Sequence, residues 1–171
     1  MKLLNEITER TLGLGEAEQL GVKYTLRKSA RAILLNEIGD MATQYLANYT
    51  YHKLPGGGVN SGETIEAALK REVMEEVGCV CEIIAPVGMV IEYRNQYNML
   101  HISYAFVAKV SGEVGVPTLE ASELEEGQAT VWLPPAVVLE KMKTDKPGKF
   151  EGHFILAREI SFLEEYLTGR S

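Results

Sequence analysis

Apolar and polar positions change their rhythm several times along the chain. KLLNEITER alternates roughly and predicts a short strand, and GLGEAEQLG reads as a connector. VKYTLRKSARAILLN is β-rich at both ends until EIGD interrupts it. MATQYLANYTYHKL is the next strand candidate, and the two are expected to form an antiparallel pair joined at Gly39-Asp40. A glycine loop follows, and Thr64 to Val77 takes the helical period. VCEIIAPVGMVIEY and LHISYAFVAKV predict two strands parted by the polar turn RNQYN. SGEVGVPTLEASELEEG shows little periodicity and is expected to be loop, and QATVWLP is a short strand stopped by Pro134 and Pro135. PAVVLEKM opens a helix with proline in its first turn, TDKPGKFEG is a loop, and HFILAREISFLEEYL predicts an amphipathic closing helix. Strands come before, between and after helices, which predicts an α/β fold with a mixed sheet covered by helices on both faces. Nothing marks a boundary, so residues 1–171 are expected to form one domain, with 1–20 as N-terminal strand and connector.

The helix after the glycine loop carries an electrostatic conflict. At about 100° per residue, with Glu72 at zero, Ile65 falls near 20°, Glu76 near 40°, Leu69 near 60° and Val73 near 100°. Glu72 and Glu76 therefore lie on the edge of the apolar arc. Glu75 falls near −60°, within reach of Glu72. Like charges one turn apart destabilise a helix, and lost hydration sharpens the repulsion. Lys70 and Arg71 do not obviously offset three clustered acids. A divalent cation would, since hard oxygen ligands on consecutive turns suit Mg2+ or Mn2+. Gly56-Gly57-Gly58 lets the backbone turn sharply and come close to a ligand.

Composition adds limits. Apolar residues make up 46% and charged residues 24%, an ordinary globular balance. A net charge of −7 argues against non-specific binding to nucleic acid or an anionic membrane. Cys79 and Cys81 are too close for an ordinary disulfide and read as plain thiols, which suits a reducing compartment. No stretch approaches the roughly 18 apolar residues of a membrane span. The expected setting is cytoplasmic.

The glycine loop and helix together resemble the Nudix box, G-x5-E-x7-R-E-U-x-E-E-x-G-U with U a bulky aliphatic, as found in MutT-like hydrolases. Gly57, Glu63, Arg71-Glu72-Val73, Glu75-Glu76 and Gly78 fall in register, and Cys79 stands at the last aliphatic position. The resemblance implies an α/β/α sandwich on a mixed β-sheet. It implies Mg2+-dependent pyrophosphohydrolysis, with Mn2+ as a substitute metal, of a nucleoside diphosphate linked to another group. Candidate substrates are an oxidised nucleoside triphosphate, ADP-ribose or a nucleotide-sugar. On this sequence the implied metal ligands are Glu72, Glu75, Glu76 and the carbonyl of Gly56. Glu63 and Arg71 are implied to orient those carboxylates, which requires the loop to fold back across eight residues.

A carboxylate outside the box is also implied, shortly before a tryptophan-bearing strand. EGQATVWLP offers Glu126 as a further metal ligand, with Glu123 and Glu125 as rivals. Glu75 is the first candidate for the general base and Glu126 the second. Lys53 is the best-placed cation for substrate phosphates, followed by Arg27 and Arg94. His52 and His101 read as structural. Two other readings stand beside the hydrolase. One is a non-hydrolytic nucleotide sensor on a Nudix fold, disfavoured by the intact box. The other is a prenyl diphosphate isomerase, disfavoured by cysteines lying in and beside the box. A homodimer through the N-terminal strand is a candidate assembly.

Overall fold

The computed structural model describes residues 1–15, 21 and 23–169. Strand β1 (Leu3–Thr8) is followed by β2 (Thr25–Leu35), β3 (Met41–Leu46), β4 (Tyr51–Lys53) and helix α1 (Ile65–Val77). Then come β5 (Val80–Arg94), β6 (Met99–Ser111), α2 (Ala121–Glu125), β7 (Gln128–Leu133), α3 (Pro135–Thr144) and α4 (Phe150–Thr168). The expected N-terminal strand is β1. The connector expected after it falls partly on residues 16–20, and the next strand candidate begins at residue 22, all of them outside the described residues.

The sheet runs β1-β5-β6-β2-β3-β4, with β7 also paired to β3. β1 is parallel to β5 and β2 to β6, while β5 and β6 are antiparallel, so the sheet is mixed. Period-2 alternation in β2 sends side chains to both faces. Ala30, Ala32 and Leu34 join Ala68, Leu69 and Val73 under α1. Ile33 and Leu35 join Val138, Met142, Phe154 and Phe162 under α3 and α4. The result is an α/β/α sandwich. Arg31 shares the parity of Ile33 and Leu35, so a cation enters the second face. No helix among the described residues is long and apolar enough to cross a membrane.

Three local features differ from the sequence expectation. MATQYLANYTYHKL is two strands, because the chain turns between Leu46 and Tyr51 with Thr50 at φ 59°. The antiparallel pairing of β2 with β3 is confined to Leu35 and Met41, since β2 spends its length against β6. The stretch expected to be loop contains α2, whose five residues are too few to show a period. A reciprocal cap between Glu120 and Glu123 holds its start.

The glycine loop lies along the free edge of β2. Ala32 N–H donates to Pro55 O (2.9 Å), Ala30 N–H to Gly57 O (3.0 Å), and Val59 N–H to Lys28 O (3.0 Å). Gly56 sits at φ 131°, where a Cβ would be 2.1 Å from Ala30 O. Only glycine can make this approach. Thr64 then caps α1, its hydroxyl accepting from Ala67 N–H (3.1 Å).

Candidate active site

Helix α1 turns Glu72 and Glu76 into the protein, with relative exposures of 9% and 1%. Arg71 resolves much of the predicted repulsion. Its Nε and Nη2 fork onto Glu63 at 3.0 and 3.1 Å. Its Nη1 donates to Glu72 (2.8 Å) and Glu75 (2.9 Å), and Nη2 also donates to Gly58 O (2.8 Å). The loop does fold back across Glu63 and Arg71. The fork is a strong, geometrically fixed pairing.

Glu76 has its own partners. Gly56 N–H donates to Oε2 (2.6 Å), while Lys53 Nζ (3.2 Å) and Gln128 Nε2 (3.0 Å) donate to Oε1. Burial works against its charge, but Lys53, Gly56 N–H and Arg31 outweigh burial and hold the carboxyl below its ordinary value. Glu72 goes the other way. Burial raises its pKa, and nearby Glu76 adds to the rise despite Arg71.

These groups line one polar cavity of about 390 Å3. The lining includes Glu72, Glu75 and Glu76, the cations Arg27, Arg31, Lys53 and Arg71, and, from α2 and its flanks, Glu120, Glu123 and Glu126. Among the three rivals for the outer carboxylate, Glu123 and Glu126 face the cavity and Glu125 does not line it. Glu126 is paired with Lys149. Glu123 lies against Glu76, and burial together with that neighbour pushes its carboxyl up to about 7.

Lys53 and Arg27 line the cavity as expected. Arg94 is not among the residues lining it. Its guanidinium is bonded to buried Glu92 (2.6 Å from Nε) and lies over the Phe154 ring, so burial and pairing commit it elsewhere. The carbonyl of Gly56 accepts from Arg31 Nη1. Arg31 is the cavity cation that the sequence reading missed, and Glu120 is an acid of the lining that it also missed. A lone arginine inside the apolar run SARAILL was the available clue. His52 is bound to Asp145 and His101 to Ser29, both away from the cavity, as structural residues. Burial pushes the Cys79 thiol up to about 11, in keeping with an inert apolar role.

The donor chemistry suits a hard divalent cation, although among the described residues no three acids or imidazoles converge on one point. The reason is visible. Arg71 lies between Glu72 and Glu75, and Lys53 sits on Glu76, so protein cations supply the positive charge. The cradle is shaped for a close approach, because a Cβ at Gly57 would lie 2.4 Å from the Glu72 carboxylate. Glu72, Glu75 and Glu76 are the side chains that would hold a cation here.

The model of the NUDIX domain family matches residues 25–152, most of the chain. The chain belongs to the Nudix family. That family uses divalent metal ions. Putative nudix hydrolase 1 of Caenorhabditis elegans is 28% identical over 117 residues, covering 65% of this chain and 31% of that protein. The chain thus spans about a third of that relative's length. Among solved structures, the MutT protein of Methanosarcina mazei superposes with a TM-score of 0.62 at 20% identity, covering 88% of this chain and 99% of that one. A UDP-X diphosphatase gives 0.57 at 14% identity, covering 95% and 70%. An ADP-ribose pyrophosphatase of Streptococcus suis gives 0.53 at 17%, covering 86% and 94%. At such identities these likenesses concern the fold, the Nudix α/β/α sandwich.

Proposed function

We propose that this Nudix protein is an Mg2+-dependent pyrophosphohydrolase acting on a nucleoside diphosphate linked to a second group. The observation that carries the reading is the gathering of three box carboxylates, Glu72, Glu75 and Glu76, with four cations, Arg27, Arg31, Lys53 and Arg71, around one cavity. A divalent cation held by Glu72, Glu75 and Glu76 would neutralise diphosphate charge and lower the pKa of an attacking water. Lys53 and Arg27, which line the same cavity, would bind and orient the phosphates. Glu63 and Arg71 would fix the carboxylates in place. Glu123 is the best-placed proton acceptor. It lies against Glu76 with no ion-pair partner among the described residues, whereas Glu75 is bonded to Arg71 and Glu126 to Lys149. Residues 1–171 are read as one domain and the setting as cytoplasmic.

The test is a panel of ADP-ribose, UDP-sugars, oxidised nucleoside triphosphates and dinucleoside polyphosphates with Mg2+ and Mn2+, products being identified by mass. The expected result is metal-dependent release of a nucleoside monophosphate from at least one class. Binding without turnover across the whole panel would replace this reading with the nucleotide sensor.

A further inference from the structure

Behind the glycine loop, under α4, lies a chain of buried charges that the hydrolytic site does not account for. Arg94 bonds Glu92, Glu92 accepts from Arg158 (2.9 Å), and Arg158 forks onto Glu159 Oε1 at 3.2 and 2.6 Å. Glu159 Oε1 also faces Arg31 Nε at 3.7 Å. Glu92, Arg158 and Glu159 are fully buried, and Arg31 and Arg94 nearly so. His101 stays neutral beside them, because burial pulls its pKa down to about 4. Three guanidiniums therefore stand against two carboxylates, and the uncompensated cation lies toward the cavity, where Arg31 faces Glu76 and Glu72.

Such a network is a poor way to stabilise a core, since apolar residues of similar volume serve as well or better. Its geometry points to another use. The Arg31–Glu159 pair is stretched, and among the described residues Arg31 Nε and Glu159 Oε2 have no hydrogen-bond partner. Arg31 is instead drawn to the Gly56 carbonyl. The N–H of that same residue donates to Glu76. Gly56 is thus gripped at both ends, by Arg31 and by a carboxylate of the site.

We propose that Glu159 is a positioning residue: through Arg31 it fixes the Gly56 backbone, and through Gly56 the carboxylate of Glu76. Helix α4, at the far end of the chain, then sets the shape of the glycine loop. The inference rests on the hydrolytic reading only for its kinetic consequence, and its structural consequence can be read without turnover.

The experiment compares the parent, Glu159→Gln, Arg31→Met and the double variant. In metal-free protein, Glu159→Gln should speed deuterium uptake by loop residues 54–58 about fivefold or more, with β5 and β6 unchanged. On the best substrate, kcat should fall about tenfold or more while KM changes less than about threefold, and the double variant should lose no more than Arg31→Met alone. Unchanged loop exchange in Glu159→Gln overturns the proposal. So does a double variant whose loss is the product of the two single losses. If Glu159→Gln is too unstable to purify, Glu159→Asp keeps the charge, shortens the reach and is judged by the same readouts. Absence of hydrolysis in the parent would remove the function above but leave the exchange measurement decisive.

Discussion

Gly57 and Glu72 are packed so closely that a Cβ on residue 57 would come within 2.4 Å of the carboxylate carbon and both its oxygens. The obstructed group is the end of a flexible side chain, so Gly57→Ala should fold and displace Glu72. Mn2+ binding, followed by electron paramagnetic resonance, should weaken about tenfold or more, as when groups that orient metal ligands are disturbed. Gly56→Ala differs, because its Cβ would meet backbone at Ala30 and its φ is 131°. It should destabilise the fold by roughly 1–3 kcal/mol or more, read from a urea midpoint. Parental Mn2+ affinity in Gly57→Ala would remove Glu72 from the ligand set.

Arg71 makes five hydrogen bonds, to Glu63, Glu72, Glu75 and Gly58 O. Lysine offers a point charge and cannot reproduce the fork. Arg71→Lys should therefore lower kcat by about 10–100-fold. Its effect on stability should stay near 1 kcal/mol, since the pairs are partly solvated and exposed ion pairs contribute little. A melting temperature and an initial-rate assay separate the two effects. Equal loss of both would make Arg71 a scaffold residue.

What the sequence disclosed and what it hid follow the range of the interactions. The glutamate angles on α1 were legible because a helix has a fixed period, and Glu72 and Glu76 are buried as that period requires. The Glu63–Arg71 contact was legible only through the resemblance to the Nudix box. Arg31, Arg158 and Glu159 were not, because they meet across the sheet and α4 from distant parts of the chain. Helical period puts Arg158 one turn from Phe154 and from Phe162, yet nothing local says which groups from the sheet meet it there. Arg94 failed as a cavity cation for the same reason: its partner Glu92 is two residues away on the same strand face, and nothing local says that face is covered. α2 escaped because its order comes from a cap and from the docking of Asn48 on Glu125 O (2.7 Å) rather than from a hydrophobic stripe.

Glu123 and Glu126 make a contest that substitution can decide. Both face the cavity, but Glu126 is neutralised by Lys149 while Glu123 lies against Glu76. Glu123→Gln keeps the shape and removes the proton acceptor, so kcat should fall by about 10²–10⁴-fold, the usual contribution of a general base. Glu126→Gln should cost less than about tenfold by the same measure. Steady-state rates with saturating Mg2+ provide the comparison. The reverse order would return the role to Glu126.

His101 gives the fold a pH dependence of definite sign. Its Nε2 contacts Ser29 Oγ (3.0 Å), and Nδ1 lies 3.4 Å from Glu92, with Arg94 and Arg158 also bonded to that carboxylate. Burial lowers the His101 pKa to about 4, against 6.5 for a free histidine. The unfolded chain therefore binds more protons in that window, and stability is lost as pH falls from 6.5 toward 4, by up to roughly 3 kcal/mol. Glu123, raised to about 7, acts oppositely over part of the same range, since its charging penalises the fold as pH rises. The difference between parent and His101→Gln cancels that contribution. Urea midpoints at pH 7.0, 5.5 and 4.5 should show the parent losing stability relative to His101→Gln at each step down. Above pH 4.5 this difference belongs to the histidine, because Glu92, held well below the usual carboxylate range by Arg158, His101 and Arg94 against the effect of burial, releases its stabilisation only in stronger acid. Parallel profiles for the two proteins would mean that folding leaves the His101 pKa unshifted, and a parent that gains on His101→Gln as pH falls would mean that the imidazole is protonated in the fold and paired with Glu92.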